Sequence, residues 1–125
     1  MSISRWLKAG VLPLLFLFSC GKPLPTFNDI DLQAWQDDKL GCTGKRTSMV
    51  TALEDQSEKL LALSQQDVIR LLGKPDENEL YKRNQKFFYY YVQPSKACSD
   101  TVTLKPKKLV IRFNAVGLAK EVEIQ

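Results

Sequence analysis

The chain opens on a continuous apolar run, changes to helical spacing, and finishes on strict alternation. Val11 to Phe18 (VLPLLFLF) has no polar interruption. From residue 27 the apolar positions take helical spacing. Asn28 is placed as an N-cap with Asp31 at the third helical position. Phe27 and Leu32 then fall where a hydrophobic staple would close, which predicts a helix over 27–39 that fails by Gly41. Thr47 to Leu63 is rich in helix formers. Met49, Leu53 and Leu60 mark its buried stripe, and the polar run Asp55-Gln56-Ser57 is its weak point. Leu63 to Val68 repeats the start signal, with Ser64 as cap, Asp67 as the acid and Leu63 and Val68 as staple. Gly73, in a left-handed conformation, and Pro75 then end a short helix at 65–72.

After Pro75 the period becomes two. Phe87 to Val92 (FFYYYV) is dense in aromatic strand formers, and both of its faces are apolar in bulk. That predicts a central strand covered on both sides. Leu109, Ile111 and Phe113 alternate with Val110 and Arg112, a half-buried strand. Asn114-Ala115-Val116-Gly117 supplies a turn. Leu118 to Ile124 returns with Val122 and Ile124 inward and Glu121 and Glu123 outward. A further strand is expected at Glu79 to Lys82. Thr101 to Leu104 is expected to start the middle strand early, with Pro106 forcing a bulge or an edge. Helices first and an antiparallel meander after them make an α+β fold. Two or three N-terminal helices should pack on one face of a three- to four-stranded sheet.

The length of 125 residues suits one domain, and 44% hydrophobic with 26% charged residues suits a packed core. The opening run changes this picture. Arg5 and Lys8 precede it, and Leu17-Phe18-Ser19-Cys20-Gly21 closes it. It is too short to span a bilayer, which takes about 20 apolar residues, and reads as a cleaved export signal over 1–19. Removal leaves about 106 residues and lowers the net charge from +4 to about +2, so the basic balance is partly a targeting feature. The ending resembles a bacterial lipobox. That resemblance implies a thioether diacylglycerol on Cys20, an acylated amino group, and firm anchoring by two or three chains. The lack of aspartate after Cys20 resembles the pattern of release to the outer membrane, facing the periplasm. Residues 20–26, with Pro23 and Pro25, form the tether, and 27–125 the single folded domain.

With Cys20 assigned to lipid, Cys42 and Cys98 remain, an even pair in an oxidising compartment. They are expected to form a disulfide that closes a loop of about 57 residues and contributes about 4 kcal/mol. A pair of free thiols or a metal site is the alternative. The chain has no histidine, which removes the commonest general base and metal ligand. Asp37-Asp38 has no partner arrangement, Ser64 is explained by capping, and Gly41 to Arg46 lacks phosphate-loop spacing. An enzyme is not expected, nor a cofactor or a nucleic-acid partner.

The stretch Leu63 to Pro75 (LSQQDVIRLLGKP) resembles the signature helix of the SmpA/OmlA (BamE-like) outer-membrane lipoproteins. In that family a small cap residue opens a helix ending Leu-Gly-x-Pro. The aromatic strand from Phe87, then Phe113, Gly117 and Leu118 to Ile124, is similar to the rest of its pattern. The resemblance covers roughly residues 60–125 and implies the BamE-like fold. The resemblance carries the fold and not the function, since no partner-binding residue of that family is matched one by one. The anchor, the small fold and the absence of catalytic chemistry point instead to a lipid-anchored, non-enzymatic scaffold with an envelope protein as partner and a role in envelope assembly or integrity. The alternative is an inhibitor or ligand-binding lipoprotein. Its expected surface is aromatic and basic: Trp35, Tyr89, Tyr90 and Tyr91 with Lys105, Lys107 and Lys108. For Phe87 to Tyr91 plain core packing is the competing reading. The lysines read as a solvated edge or as contacts to anionic head groups.

Overall fold

The computed structural model describes residues 23–99 and 105–125. The leader, Cys20 and the expected strand start at Thr101 to Leu104 lie outside the described residues. Helices precede strands, and the four strands form one antiparallel sheet.

Helix α1 runs Leu32–Asp37, shorter and later than its sequence signature. Its cap is Asp31, whose Oδ1 accepts from the Ala34 N–H at 3.1 Å. Asn28 is not the cap, because its backbone is already engaged. Its N–H donates to Gln56 Oε1 and its carbonyl accepts from Gln56 Nε2, both at 2.8 Å. Asp29 has φ 58°, so no helix passes through it. Past α1 a 3-10 turn, Lys39–Gly41, reverses the chain. Gly41 is required there: a Cβ would come within 2.9 Å of the Tyr91 carbonyl oxygen.

Helix α2 is Lys45–Asp55, and a 3-10 turn at Ser57–Leu60 follows it. The break falls within the polar run that weakens the pattern. Met49, Leu53 and Leu60 are buried together as the expected stripe. Helix α3 is Gln65–Leu72. Ser64 Oγ accepts from the Asp67 N–H at 3.1 Å. The carboxylate of Asp67 turns to Arg70 at 3.2 Å, so the cap is one-sided. Gly73 ends the helix at φ 82°, ψ −179°. This is an extended mirror-image conformation open to glycine alone, not the left-handed helical one expected.

Strands β1 (Glu77–Tyr81), β2 (Gln85–Tyr91), β3 (Lys108–Phe113) and β4 (Ala119–Ile124) lie in sequence order. β1 starts two residues before its expected place. In register, Leu80 pairs with Lys86, Lys86 with Phe113, and Phe113 with Ala119. Both hairpin turns therefore lie at one end of the sheet. The disulfide loop lies at the other, where Tyr91 pairs with Lys108. The β3–β4 turn is held by Asn114, whose Oδ1 accepts from Val116 and Leu118 N–H, with Gly117 at φ 85°.

Trp35, Met49, Leu53, Leu60, Val68, Leu71 and Leu72 from the helical half join Phe88, Tyr90, Leu109, Ile111 and Phe113 in one core. Each such buried apolar side chain contributes roughly 1.5–3 kcal/mol. Phe88 meets Phe113 edge to face at 4.7 Å. The expected covering of β2 on both faces is corrected. Phe88, Tyr90 and Val92 are buried, whereas Phe87, Tyr89 and Tyr91 are only half-buried. The core cluster includes Phe88 and Tyr90 but not Phe87, Tyr89 or Tyr91.

Candidate functional site

The pleat places Tyr81 of β1, Phe87, Tyr89 and Tyr91 of β2, and Lys108, Val110 and Arg112 of β3 on the outer face of the sheet. These side chains order one another. The Tyr81 ring meets Phe87 edge to face at 5.3 Å, and Phe87 stacks on Tyr89 at 6.0 Å with planes 7° apart. Lys108 Nζ lies 4.2 Å from the centre of the Tyr89 ring. The polar tips are also satisfied: Tyr89 Oη donates to Glu79 at 2.6 Å and Tyr91 Oη to Glu77 at 2.9 Å. Arg112 reaches Glu121 and Gln85 on the same face. The result is an ordered aromatic ladder, partly open to solvent. Tyr81 is 48% exposed at one end.

Burial pushes the Tyr89 phenol up to about 12, helped by its hydrogen bond to Glu79 and the charges of Glu79 and Glu77. Tyr91 is raised too, first by burial and then by Glu77 and Asp76. Both are neutral hydrogen-bond donors at any physiological pH.

Behind the ladder sits a buried polar node. Arg46 is 1% exposed. Its Nε donates to the Trp35 carbonyl at 2.9 Å. Its Nη1 donates to Asp76 Oδ2 at 2.7 Å and to the Tyr91 carbonyl at 3.1 Å. The guanidinium lies over Trp35 at 5.1 Å and Tyr90 at 5.8 Å. Asp76 also accepts from the Tyr91 and Leu40 N–H groups, so one carboxylate joins β2 to the turn after α1. Asp38 accepts from the Thr43 N–H and hydroxyl and from the Arg46 N–H. Burial alone would raise the Asp38 carboxyl. The hydrogen bonds from Arg46 and Thr43, with the Arg46 charge, outweigh it and hold the group below the usual carboxylate range. Cys42 and Cys98 are bonded beside this node, with Cα atoms 5.4 Å apart, which excludes the free-thiol and metal alternatives for this pair.

The residues expected to share an interaction surface separate. Trp35 is fully buried against Tyr90, at 6.4 Å, and belongs to the core. Tyr90 is buried as well, and its hydroxyl donates to the Gly73 carbonyl at 2.8 Å. Tyr89, Tyr91 and Lys108 do come together on the outer face. Lys105 lies beside Tyr91 in a shallow groove with Leu40 and Ser95. Lys107 lies on the opposite side of the sheet, next to Thr47 and Val50 of α2, because its neighbour Lys108 takes the outer face.

The sequence pattern does not point to Arg46, Asp38 or Asp76. The partners of the Arg46 side chain and of Asp76 lie far apart in the chain, and Asp38 closes on Thr43 and Arg46 across a loop that follows no helical or strand spacing. Among the described residues no group of three or more histidine, cysteine or acidic side chains is placed to hold a metal. No described helix is long and apolar enough to cross a membrane. The chain matches no family model, no curated protein and no solved structure.

Proposed function

We propose that this chain is a non-enzymatic binding module of the cell envelope, tethered through lipid on Cys20 to the periplasmic face of the outer membrane, with a partner protein on the outer sheet face. One observation carries the reading: the Tyr81–Phe87–Tyr89–Lys108 ladder is ordered before any partner arrives. Aromatic side chains already held in place lose little rotamer freedom on binding and supply large contact area. The export signal and the lipobox-like ending support the tether. The succession of α3, aromatic strand and final hairpin agrees with the BamE-like arrangement that the sequence resembles. Helices on one face of the meander, leaving the other face open, belong to the same reading. An inhibitor or ligand-binding role would use the same face.

A photo-crosslinking phenylalanine analogue at position 87, in cells expressing the full chain, tests the proposal. A discrete crosslinked envelope protein, missing when the probe sits at Lys96, is the expected result. The same adducts from both positions, or none, overturn it. Intact mass of the native protein tests the tether separately; an unmodified thiol at Cys20 or a retained leader overturns that part.

A further inference from the structure

We infer that the hairpin-turn end of the sheet is a second contact surface, one that rests on an anionic lipid headgroup layer. The turn Lys82–Asn84 and the turn at 114–117 lie side by side there, about 10 Å apart, two strand spacings. Apolar side chains are exposed at this end: Val116 in the second turn and Leu80 near the close of β1 are each 76% exposed, and Tyr81, on the other face of β1, is 48% exposed.

Cations surround them. Lys82, Arg83 and Lys86 follow in five residues with no acid between them. Among the described residues none of the three forms an ion pair. Lys82 Nζ instead sits 5.9 Å from the Tyr81 ring. On the adjoining strands Glu79 is turned to Tyr89 and Glu121 to Arg112. Arg83 adds a separate observation. Its φ is 59°, a left-handed conformation that glycine or asparagine holds with less strain. That conformation is held by an exposed side chain with five donors and a permanent charge. Apolar side chains amid unpaired cations fit a bilayer interface, where the apolar groups enter the headgroup boundary and each cation meets lipid phosphate.

The path of the chain points the same way. Thr26 is held by Lys59 at 2.7 Å, and three residues later Ala62 donates to the Ala119 carbonyl at the turn end. Six residues of chain separate Cys20 from Thr26, a contour of about 20 Å at most. This orientation goes with the tethered reading, but the test does not use the anchor.

The chain from residue 20, with Cys20→Ser so that it carries no lipid, is mixed with sedimentable vesicles. One set is phosphatidylcholine alone and the other equal parts phosphatidylcholine and phosphatidylglycerol. Binding to the anionic set only is expected. Lys82→Gln and Arg83→Asn (asparagine tolerates the turn) should each lower the partition coefficient roughly fivefold. Lys105→Gln and Lys107→Gln at the other end should leave it nearly unchanged. Val116→Trp should shift tryptophan emission to the blue on anionic vesicles, and Lys96→Trp should not. Circular dichroism checks that each variant folds. No binding to anionic vesicles overturns the inference. Equal losses from both ends with no shift at Val116 also overturn it. So does binding of soluble polyphosphate through Lys82 and Arg83 without vesicle binding, which makes the partner a soluble polyanion.

Discussion

Tyr89, Tyr90 and Tyr91 are consecutive and chemically identical, yet the pleat sends them into opposite surroundings. Tyr90 is sealed under the Trp35 ring and the Arg46 guanidinium, with its hydroxyl spent on the Gly73 carbonyl. Tyr89 and Tyr91 face outward and give their protons to Glu79 and Glu77. The inner face is fixed by a buried charge network and a covalent link, and the outer face by ring stacking and partly exposed hydrogen bonds. Removal of inner contacts should therefore cost several times what outer contacts cost, although both faces are equally aromatic.

The largest expected effect comes from Arg46→Met. It leaves Asp76 buried without its cation and should lower unfolding free energy by about 3–5 kcal/mol in a urea titration. A loss below about 1 kcal/mol would mean the node is structurally idle. Next, Cys42→Ser with Cys98→Ser should cost about 4 kcal/mol at most by the chain-entropy estimate, read as a lower denaturation midpoint. Smaller again is Tyr90→Phe, which strands the Gly73 carbonyl and should cost about 1–3 kcal/mol. Tyr89→Phe should stay within about 0.5 kcal/mol. Equal losses at the two tyrosines would erase the distinction between the faces.

The mildest test is pH. Tyr89 is raised in the folded state, so its contribution is fully present below pH 10 and is lost as pH rises from 10 to about 12. Phenolate absorbance should show a late-titrating tyrosine that moves toward 10 in Glu79→Gln. Asp38 has the opposite sign. Its contribution is present above its ordinary value of 3.8 and disappears as pH falls through the lower folded value. Acid unfolding should sharpen in that window and flatten in Asp38→Asn.

Local signals were readable and distant ones were not. Ser64, Gly73 and Pro75 bracket α3 because a cap and a breaker act within a few residues of the helix they bound. The same grammar misplaced the start of α1, where Asn28 and Asp31 are both competent caps. The choice was made by Gln56, 28 residues away. The disulfide was expected from the even cysteine count left once Cys20 was set aside. Arg46 was invisible because its partners are separated from it by 11, 30 and 45 residues. For the candidate surface, period-two reading put Tyr89 with Tyr91. It could not show that Trp35 fills the core or that Lys107 and Lys108 diverge.

The bond between Cys42 and Cys98 also bears on force. It encloses α2, α3, β1 and β2 in a covalent ring and leaves α1, β3 and β4 outside. If the chain is pulled from a membrane at one terminus and a bound partner at the other, β4 and then β3, the strands beyond the ring, peel first. Extension then stops at the ring, so the half carrying Arg46 keeps its connectivity under a load that strips the final hairpin away.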